Sequence, residues 1–206
     1  NWDTAQTVTV TGADDDLIDG TVSSTTTISV IDAASDNNFD AVADQTVSVS
    51  TTDDDVAGFT ITETDGSTTV TEAGGADTFT AVLNAQPDSN VTLQITSSDT
   101  GEATVTSLIT FTPSNWDTPQ IATISGVDDD IIDGTISSTL TVAVKDSVSD
   151  NNFDDVADQT VSVSTTDDDV AGFTITETEG STGVDESGTT DTFTVVLNAQ
   201  PDSDVV

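Results

Sequence analysis

Short runs in which apolar residues alternate with Thr and Ser follow one another along most of the chain. Phe79, Ala81 and Leu83 alternate with polar neighbours in this way, and the stretch 91–96 repeats the pattern. Strict alternation of this kind predicts half-buried β-strands, and Thr and Val are favoured on pleated surfaces. No stretch has the 3.6-residue apolar period that would predict a helix.

One stretch of roughly 110 residues contains a full set of predicted strands with turn residues between them. The predicted strands are 58–63 and 68–72 as a split first strand, 77–84, 91–96, 103–106, 108–112, 120–127, 139–144 and 160–166. About seven short strands in a unit of this length predict an antiparallel β-sandwich. The fold class that we expect is therefore all-β, and the aromatic residues Phe111, Phe153, Phe173 and Trp116 are expected to pack in cores or hairpins.

The sequence repeats itself at whole-domain length. Asn1–Thr4 recurs as Asn115–Thr118, which sets the period at 114 residues (115 − 1 = 114). Roughly three quarters of the overlapping positions are identical, and a period this long is typical of a string of domains rather than of a solenoid. We expect residues 1–55 to be the second half of one repeat, 56–169 a complete repeat, and 170–206 the beginning of the next. On this interpretation the chain is part of a longer protein.

The charge balance is extreme, with 39 acidic residues against one Lys or Arg and a formal net charge of −38. Self-repulsion on this scale opposes compaction, so a folded chain needs cations as part of its structure. Nucleic acid is excluded as a partner because phosphate binding requires Lys and Arg. There is no run of 18 apolar residues and no signal peptide, which argues against direct membrane insertion.

Four acidic places stand out in each repeat. They are Glu72 with its repeat mate Glu186, the loop 128–134 with its mate 14–20, the triplet 167–169 with its mate 53–55, and the loop 149–155 with its mate 35–40. In a sandwich, the first three places fall at strand ends that can gather at one end of the domain. Clustered carboxylates of this kind suit calcium, which takes six to eight oxygen ligands.

A salt-adapted surface, magnesium, zinc and an EF-hand all fit these acids less well than a calcium site does. An acid-rich surface for solubility in salt accounts for the net charge but not for three contiguous aspartates twice per repeat. Magnesium keeps its waters and needs few carboxylates, and zinc is a poor fit without His or Cys. An EF-hand starting at Asp129 fails because Ile131 and Leu140 occupy ligand positions. For the loop 149–155, metal binding and a structural role both stay open.

A catalytic role is not expected. The chain has no His, no Cys and no glycine-rich phosphate loop, and with 39 acids some carboxylate pairs arise by chance. Near-identical consecutive repeats also suit a spacer better than an active site. We therefore expect a protein that is not an enzyme.

These motifs together resemble the Calx-beta domain. The resemblance rests on Glu72 in Val-x-Glu-x-x-Gly, on the Asp-Asp-x-Ile-x-acid loop, and on the closing triplet Asp167–Asp169. The stretch from Ile109 through Trp116 to Gly134 is similar to the Calx-beta-like repeats of large secreted bacterial adhesins, including the RTX class. The resemblance implies Ig-like, seven-stranded sandwiches in tandem, with Ca²⁺ at one end of each.

By motif position, the resemblance implies a set of calcium ligands in each repeat. In the complete repeat they are Glu72, Asp128, Asp129, the carbonyl of Ile131, Asp133, Asp167, Asp168 and Asp169. In the partial repeats they are Asp14, Asp15, Asp19, Asp53, Asp54 and Asp55 for the first, and Glu186 for the third. Sodium–calcium exchangers of the family usually have Glu where Asp133 stands, so the number of ions stays open.

The function implied is that of a calcium-rigidified extender of an adhesin, or a unit of a surface fibre, outside a bacterial cell. Its partners would be neighbouring repeats of the same chain and, in a fibre or surface layer, other copies. A ligand- or carbohydrate-binding adhesion module and a calcium-sensing regulatory domain are the two alternatives. The first predicts an exposed aromatic platform, and the second predicts a conformational switch at micromolar calcium.

Overall fold

The computed structural model describes residues 2–206, so Asn1 of the repeated Asn-Trp-Asp-Thr motif lies outside the described residues. The strands are β1 (Val22–Ile28), β2 (Gln45–Thr51), β3 (Phe59–Glu63), β4 (Thr68–Thr71), β5 (Ala76–Leu83), β6 (Val91–Ser97), β7 (Ala103–Val105), β8 (Leu108–Phe111), β9 (Gln120–Gly126), β10 (Ile136–Val144), β11 (Gln159–Thr166), β12 (Phe173–Glu177) and β13 (Phe193–Leu197). The helices of residues 2–206 are single 3-10 turns of three residues, and none could cross a membrane. The all-β prediction is confirmed.

The nine strands β3 to β11 form two sheets. One sheet has the order β4-β11-β10-β6-β8, and the other has the order β3-β5-β9-β7. These strands lie between residues 59 and 166, within the predicted complete repeat, although the exact domain boundaries stay a prediction. The inward-facing side chains of both sheets form one core, in which Phe79, Phe111, Phe153, Leu93 and Leu140 are fully buried. The sandwich prediction is therefore confirmed.

The predicted split of the first strand is confirmed and has a structural consequence. A turn at 64–66 separates β3 from β4, with Asp65 at φ 55° and Gly66 at φ 79°. The split lets β3 pair with β5 in one sheet while β4 pairs with β11 in the other. The β4–β11 pair is parallel, whereas every other strand pair within residues 2–206 is antiparallel. The prediction of a purely antiparallel sandwich therefore needs this one amendment.

The partial repeats fold as two-stranded pieces with the registers of the complete one. β1 and β2 pair Val22 with Thr51, and β10 and β11 pair Ile136 with Thr165, 114 residues further on in both strands. The third piece pairs β12 with β13 and has no second sheet over it within residues 2–206. Phe173 is consequently 62% exposed, whereas its repeat mate Phe59 is 3% exposed. Of the two expected places for Phe173, a core or a hairpin, the structure has the hairpin β12–β13, and a two-stranded piece cannot cover the ring.

Candidate metal centre

Four chain segments place acidic residues at the same end of the sandwich. Glu72 follows β4 directly, and its N–H donates to the carbonyl of Thr166 at the end of β11 (3.1 Å). Glu102 precedes β7, and its carbonyl accepts from the N–H of Val127 at the end of β9 (2.9 Å). The loop 128–134, here called the acid loop, joins β9 to β10, and the triplet 167–169 follows β11. Backbone hydrogen bonds thus join β4 to β11 in one sheet and β7 to β9 in the other, and Oγ1 of Thr165 in β11 donates to the carbonyl of Glu102 (3.4 Å), which links the two pairs.

The side chains at this end form two groups of three carboxylates. Glu72, Glu102 and Asp133 form one triad, and Glu72, Asp167 and Asp169 form the other; within each triad, one oxygen per residue lies within 4.8 Å of the others. Glu72 belongs to both triads, so the two share an edge. Oxygen groups at such separations can bind a divalent cation, because its oxygen ligands at 2.3–2.6 Å (for calcium) lie about 3–5 Å from one another.

The chemistry of these oxygens fits a cation. Glu72 is 1% exposed and Glu102 is 8% exposed. The Oε2 atoms of both, and Oδ2 of Asp169, are buried without a hydrogen-bond partner in the described chain. A buried carboxylate oxygen without a donor is costly, and the chain offers a single basic residue, Lys145, to neutralise it. A bound cation would satisfy all three oxygens, and calcium ligation by carboxylates is of this kind.

The electrostatics of the cluster show the same deficit of positive charge. Burial, followed by the nearby charges of Asp167, Asp133 and Asp129, raises the pKa of Glu72 to about 7. Burial, followed by the charge of Asp133, also raises the pKa of Glu102. Both shifts mean that the folded protein holds these groups as anions less readily than water does, because water is excluded and like charges face them.

Asp167 is held differently from its neighbours. Its Oδ2 accepts from the N–H of Gly134 (2.8 Å), and its Oδ1 accepts from the N–H of Asp169 (2.7 Å). These backbone donors lower the pKa of Asp167, because they stabilise the carboxylate. Asp167 therefore stays charged while it ties the acid loop to the triplet.

The remaining predicted ligands of the complete repeat lie around the two triads. Asp129 accepts from the N–H of Ile131 (2.7 Å) and is close enough to raise the pKa of Glu72. Burial, followed by the charges of Asp130, Asp167, Asp168 and Asp128, raises the pKa of Asp169. Asp128, Asp129 and Asp168 therefore lie near the triads without belonging to them, and the carbonyl of Ile131 stays a predicted ligand.

Glu102 was not predicted from the sequence. It is a lone acid between the Asp99–Gly101 turn and β7, without a second acid beside it. Its position falls outside the overlap between the repeats, so the comparison of repeats could not single it out. The pairing of β7 with β9, which places Ala103 opposite Gly126, is what brings Glu102 to the site.

The first partial repeat reproduces the geometry of the acid loop. Asp53 accepts from the N–H groups of Gly20 (2.7 Å) and Asp55 (2.9 Å). Asp167 accepts in the same way from the N–H groups of Gly134 and Asp169. All six predicted residues of this repeat line one open cavity of about 390 Å³: Asp14, Asp15, Asp19, Asp53, Asp54 and Asp55. The structure therefore brings together the six residues that the sequence grouped.

Glu186 in the third repeat is exposed, and it belongs to neither carboxylate triad. Its neighbour Asp185 is held in a local turn: Oδ1 of Asp185 accepts from the N–H of Ser187 (2.8 Å), and the N–H of Asp185 donates to Oγ1 of Thr189 (2.8 Å). Residues 170–206 contain no counterpart of the acid loop. The role of Glu186 as a ligand stays a prediction.

The fourth acidic place has a structural role. Asp150 is 6% exposed, and its Oδ2 accepts from the N–H of Ser89 (2.7 Å) while its Oδ1 accepts from the N–H of Asn152 (2.9 Å). Both oxygens therefore have backbone donors, which replace the water lost on burial. The carboxylate fastens the loop after β10 to the turn before β6.

No protein-family profile and no curated protein matches the chain. Among solved structures, the apo-form Calx CBD1 domain aligns with 56% of this chain and 100% of that chain, at 17% identity and a TM-score of 0.41. Domains 4 and 5 of the S-layer protein SbsC align with 60% of this chain and 63% of that chain, at 18% identity and a TM-score of 0.36. The E. coli chaperone DraB aligns with 57% of this chain and 59% of that chain, at 12% identity and a TM-score of 0.40. The alignment therefore covers about three fifths of the length of each of the last two structures. Similarity at this level does not assign a function to the chain.

Proposed function

We propose that this chain is a calcium-binding structural repeat of a long extracellular surface protein, in which calcium at the end of each sandwich stiffens the string of repeats. The observation that carries the proposal is the set of buried oxygens without hydrogen-bond donors on Glu72, Glu102 and Asp169. They belong to two triads that share Glu72. A chain with 39 acids and one basic residue has no internal means of neutralising them.

Calcium is the cation that this donor set favours. The candidate ligands are carboxylates on several different chain segments, and calcium accepts many such ligands in variable geometry. Magnesium demands a near-ideal octahedron and keeps several waters. Zinc prefers His and Cys, which the chain lacks. Extracellular modules bind calcium at about 0.1–1 mM, which suits a protein at a bacterial cell surface.

A mechanical role follows from linkage between binding and folding. An ion that binds the folded state alone stabilises it, by about 2.7 kcal/mol per site at a hundredfold excess over the dissociation constant. The site joins the ends of four strands to the linker that leads into the next repeat, so bound calcium would restrict that linker. The product would be an extender of an adhesin or a unit of a surface fibre, without catalysis.

The alternatives receive less support from the site. A carbohydrate-binding module needs an exposed aromatic platform, but Trp116 packs partly buried against the core of the complete repeat. Trp2 is 95% exposed in a partial repeat that lacks the core its mate packs on. A calcium sensor differs from an extender in affinity, which a titration measures directly.

The test is a calcium titration of the full chain, with the thermal midpoint and the small-angle scattering profile recorded at each step. We expect millimolar calcium to raise the midpoint and lengthen the particle, with EDTA reversing both effects. Magnesium at equal concentration should do much less. An equal response to any salt of the same ionic strength would show that the acids are only a salt-adapted surface. Saturation at micromolar calcium would favour a sensor.

A further inference from the structure

The same backbone contact joins consecutive repeats at both joints of the chain. At the first joint, Leu17 forms an isolated parallel β-bridge with Gln86, and the N–H of Gln86 donates to the carbonyl of Asp16 (2.8 Å). At the second, Ile131 bridges Gln200 in the same way, and the N–H of Gln200 donates to the carbonyl of Asp130 (2.6 Å). Ile131 and Gln200 each lie one repeat period, 114 residues, after Leu17 and Gln86 (131 − 17 = 200 − 86 = 114), so the contact is a regular feature of the repeat.

The segment that makes this contact is held firmly in its own repeat. The name docking turn is used here for residues 85–87, which follow β5, and for their mates 199–201, which follow β13. In the complete repeat, Ala85 and Pro87 are buried. The side-chain Nε2 of Gln86 donates to the carbonyl of Pro113 (2.9 Å), which lies after β8. A partner bound to the docking turn is therefore attached to the body of the sandwich rather than to a loose loop.

The other side of the contact is the acid loop 128–134 at the second joint and its mate 14–20 at the first, and both are called acid loops from here on. The loop 128–134 carries Asp129 and Asp133, and its last residue, Gly134, donates to Asp167 of the triplet. One loop thus contacts the metal centre on one side and the next repeat on the other. Together with the covalent linker after Asp169, it gives the two repeats two points of attachment, which removes much of the freedom of a single hinge.

The charge of the chain favours a neutral turn at this contact. An acidic segment placed against Asp130 would be repelled, and the chain has only one basic residue to offer. The donors that remain are uncharged, namely backbone N–H groups, side-chain amides and hydroxyls. The Ala-Gln-Pro sequence of both docking turns supplies backbone N–H groups and an amide without a charge. The turn and the loop are therefore electrostatically compatible partners.

We propose that the docking turn is a specific binding surface for the acid loop of the preceding repeat, and that this contact sets the orientation of consecutive repeats. The coupling of the contact to calcium rests on the proposed function. An ion that orders the acid loop strengthens docking, and by thermodynamic reciprocity docking strengthens binding of the ion.

The test of docking uses the full chain, which has no native cysteine. Spin labels at Thr25→Cys and Thr62→Cys, both exposed, report the distance across the first joint. Gln86→Glu removes the amide donor to the Pro113 carbonyl and adds a negative charge to the turn whose backbone is bonded to Asp16, whereas Gln86→Ala removes the amide donor alone. Gln94→Glu, on an exposed position of β6, is the control with the same change of charge.

We expect Gln86→Glu to broaden the distance distribution at least about twofold in EDTA, Gln86→Ala to broaden it less, and Gln94→Glu to leave it unchanged, because only the first opposes a like charge across the joint. Identical distributions in Gln86→Glu and the parent chain would overturn the docking proposal, whatever calcium does to the thermal midpoint. A broadening without any calcium response would support docking and count against the proposed function alone.

The coupling is tested at the second joint, where the metal centre is complete. In a calorimetric titration, the affinity for calcium should be at least about fivefold lower in Gln200→Glu than in Gln94→Glu, which is within the usual range of coupling between sites. Equal affinities in the two variants would overturn the coupling.

Discussion

Replacing Glu72 by Gln is expected to change the stability of the protein in opposite directions with and without calcium. Glu72 is 1% exposed, its Oε2 lacks a hydrogen-bond donor, and it belongs to both triads. Glutamine keeps the shape of the side chain and removes its charge. Its amide N–H groups can also donate to the carboxylates that face it.

Without calcium, the substitution should stabilise the protein. Burial, and then the charges of Asp167, Asp133 and Asp129, raise the pKa of Glu72 from 4.5 to about 7. One pKa unit corresponds to about 1.4 kcal/mol. After allowance for water that screens charges at the open acid loop, we expect a gain of about 1–3 kcal/mol in EDTA above pH 7. Each kcal/mol raises the thermal midpoint of a small domain by about 4–8 °C.

With calcium, the same substitution should remove stabilisation. Each site filled at a hundredfold excess of calcium adds about 2.7 kcal/mol, so two filled triads would add about 5 kcal/mol. Glu72→Gln weakens both triads because they share this residue. We therefore expect the calcium-induced rise of the midpoint to fall by more than half, and the order of stability of the two proteins to reverse on addition of calcium.

The assay is differential scanning calorimetry of both proteins at about pH 8, above the pKa of Glu72, in EDTA and in millimolar calcium. Glu179→Gln is the control, because Glu179 is exposed and undergoes the same change of charge. A lower midpoint of Glu72→Gln in EDTA would refute the view that the buried charge is a burden on the apo fold. An undiminished calcium response would refute the role of Glu72 as a shared ligand.

Three further substitutions or conditions test the structure separately. In EDTA, the free energy of unfolding should fall as the pH rises from about 4.5 to about 7. The raised pKa of Glu72 means that over this range the folded state binds a proton that the unfolded state releases. Thermal midpoints that rise steadily across this range would contradict the prediction. Gly126→Ala should cost about 1–3 kcal/mol and weaken calcium binding, because the new Cβ would overlap the backbone carbonyl of Thr71 at the end of β4. Gly12→Ala, whose Cβ would have its nearest neighbour at 3.6 Å, is the control in the same denaturation and titration series. Asp150→Ala should lower the free energy of unfolding by about 1–3 kcal/mol per backbone N–H left without an acceptor, equally in calcium and in EDTA. The same substitution at its exposed mate, Asp36→Ala, should cost less. If urea denaturation showed a loss that depends on calcium, Asp150 would instead be a metal ligand.

The strands could be predicted because their signal is local. Alternation at Phe79, Ala81 and Leu83 depends only on which face of a strand each side chain occupies, and all three are buried as expected. The split of the first strand was visible as a break in the pattern. The parallel pairing of β4 with β11 was not, because it joins residues nearly 100 positions apart (163 − 68 = 95) and leaves no local trace.

The candidate site was predicted in part for the same reason. Contiguous acids such as Asp167–Asp169 are conspicuous in any sequence, whereas Glu102 is an isolated acid that only the pairing of β7 with β9 brings to Glu72. Conversely, the acids of the loop 149–155 look like the others in the sequence. Only the structure shows that Asp150 is buried with its two oxygens already bonded to backbone N–H groups.

The distribution of charge accounts for the coincidence of the site and the joint. Like charges opposite each other on neighbouring strands are destabilising, and in a chain with one basic residue nearly every charged pair would be of like sign. The five strands of the larger sheet, β4, β6, β8, β10 and β11, accordingly contain no charged residue. In this sheet the acids are thereby confined to the strand ends and loops, which are also where consecutive repeats meet. A cation that neutralises such an end therefore acts on the joint as well, and the acid loop, which contacts the docking turn through Asp130, is the segment through which it would do so.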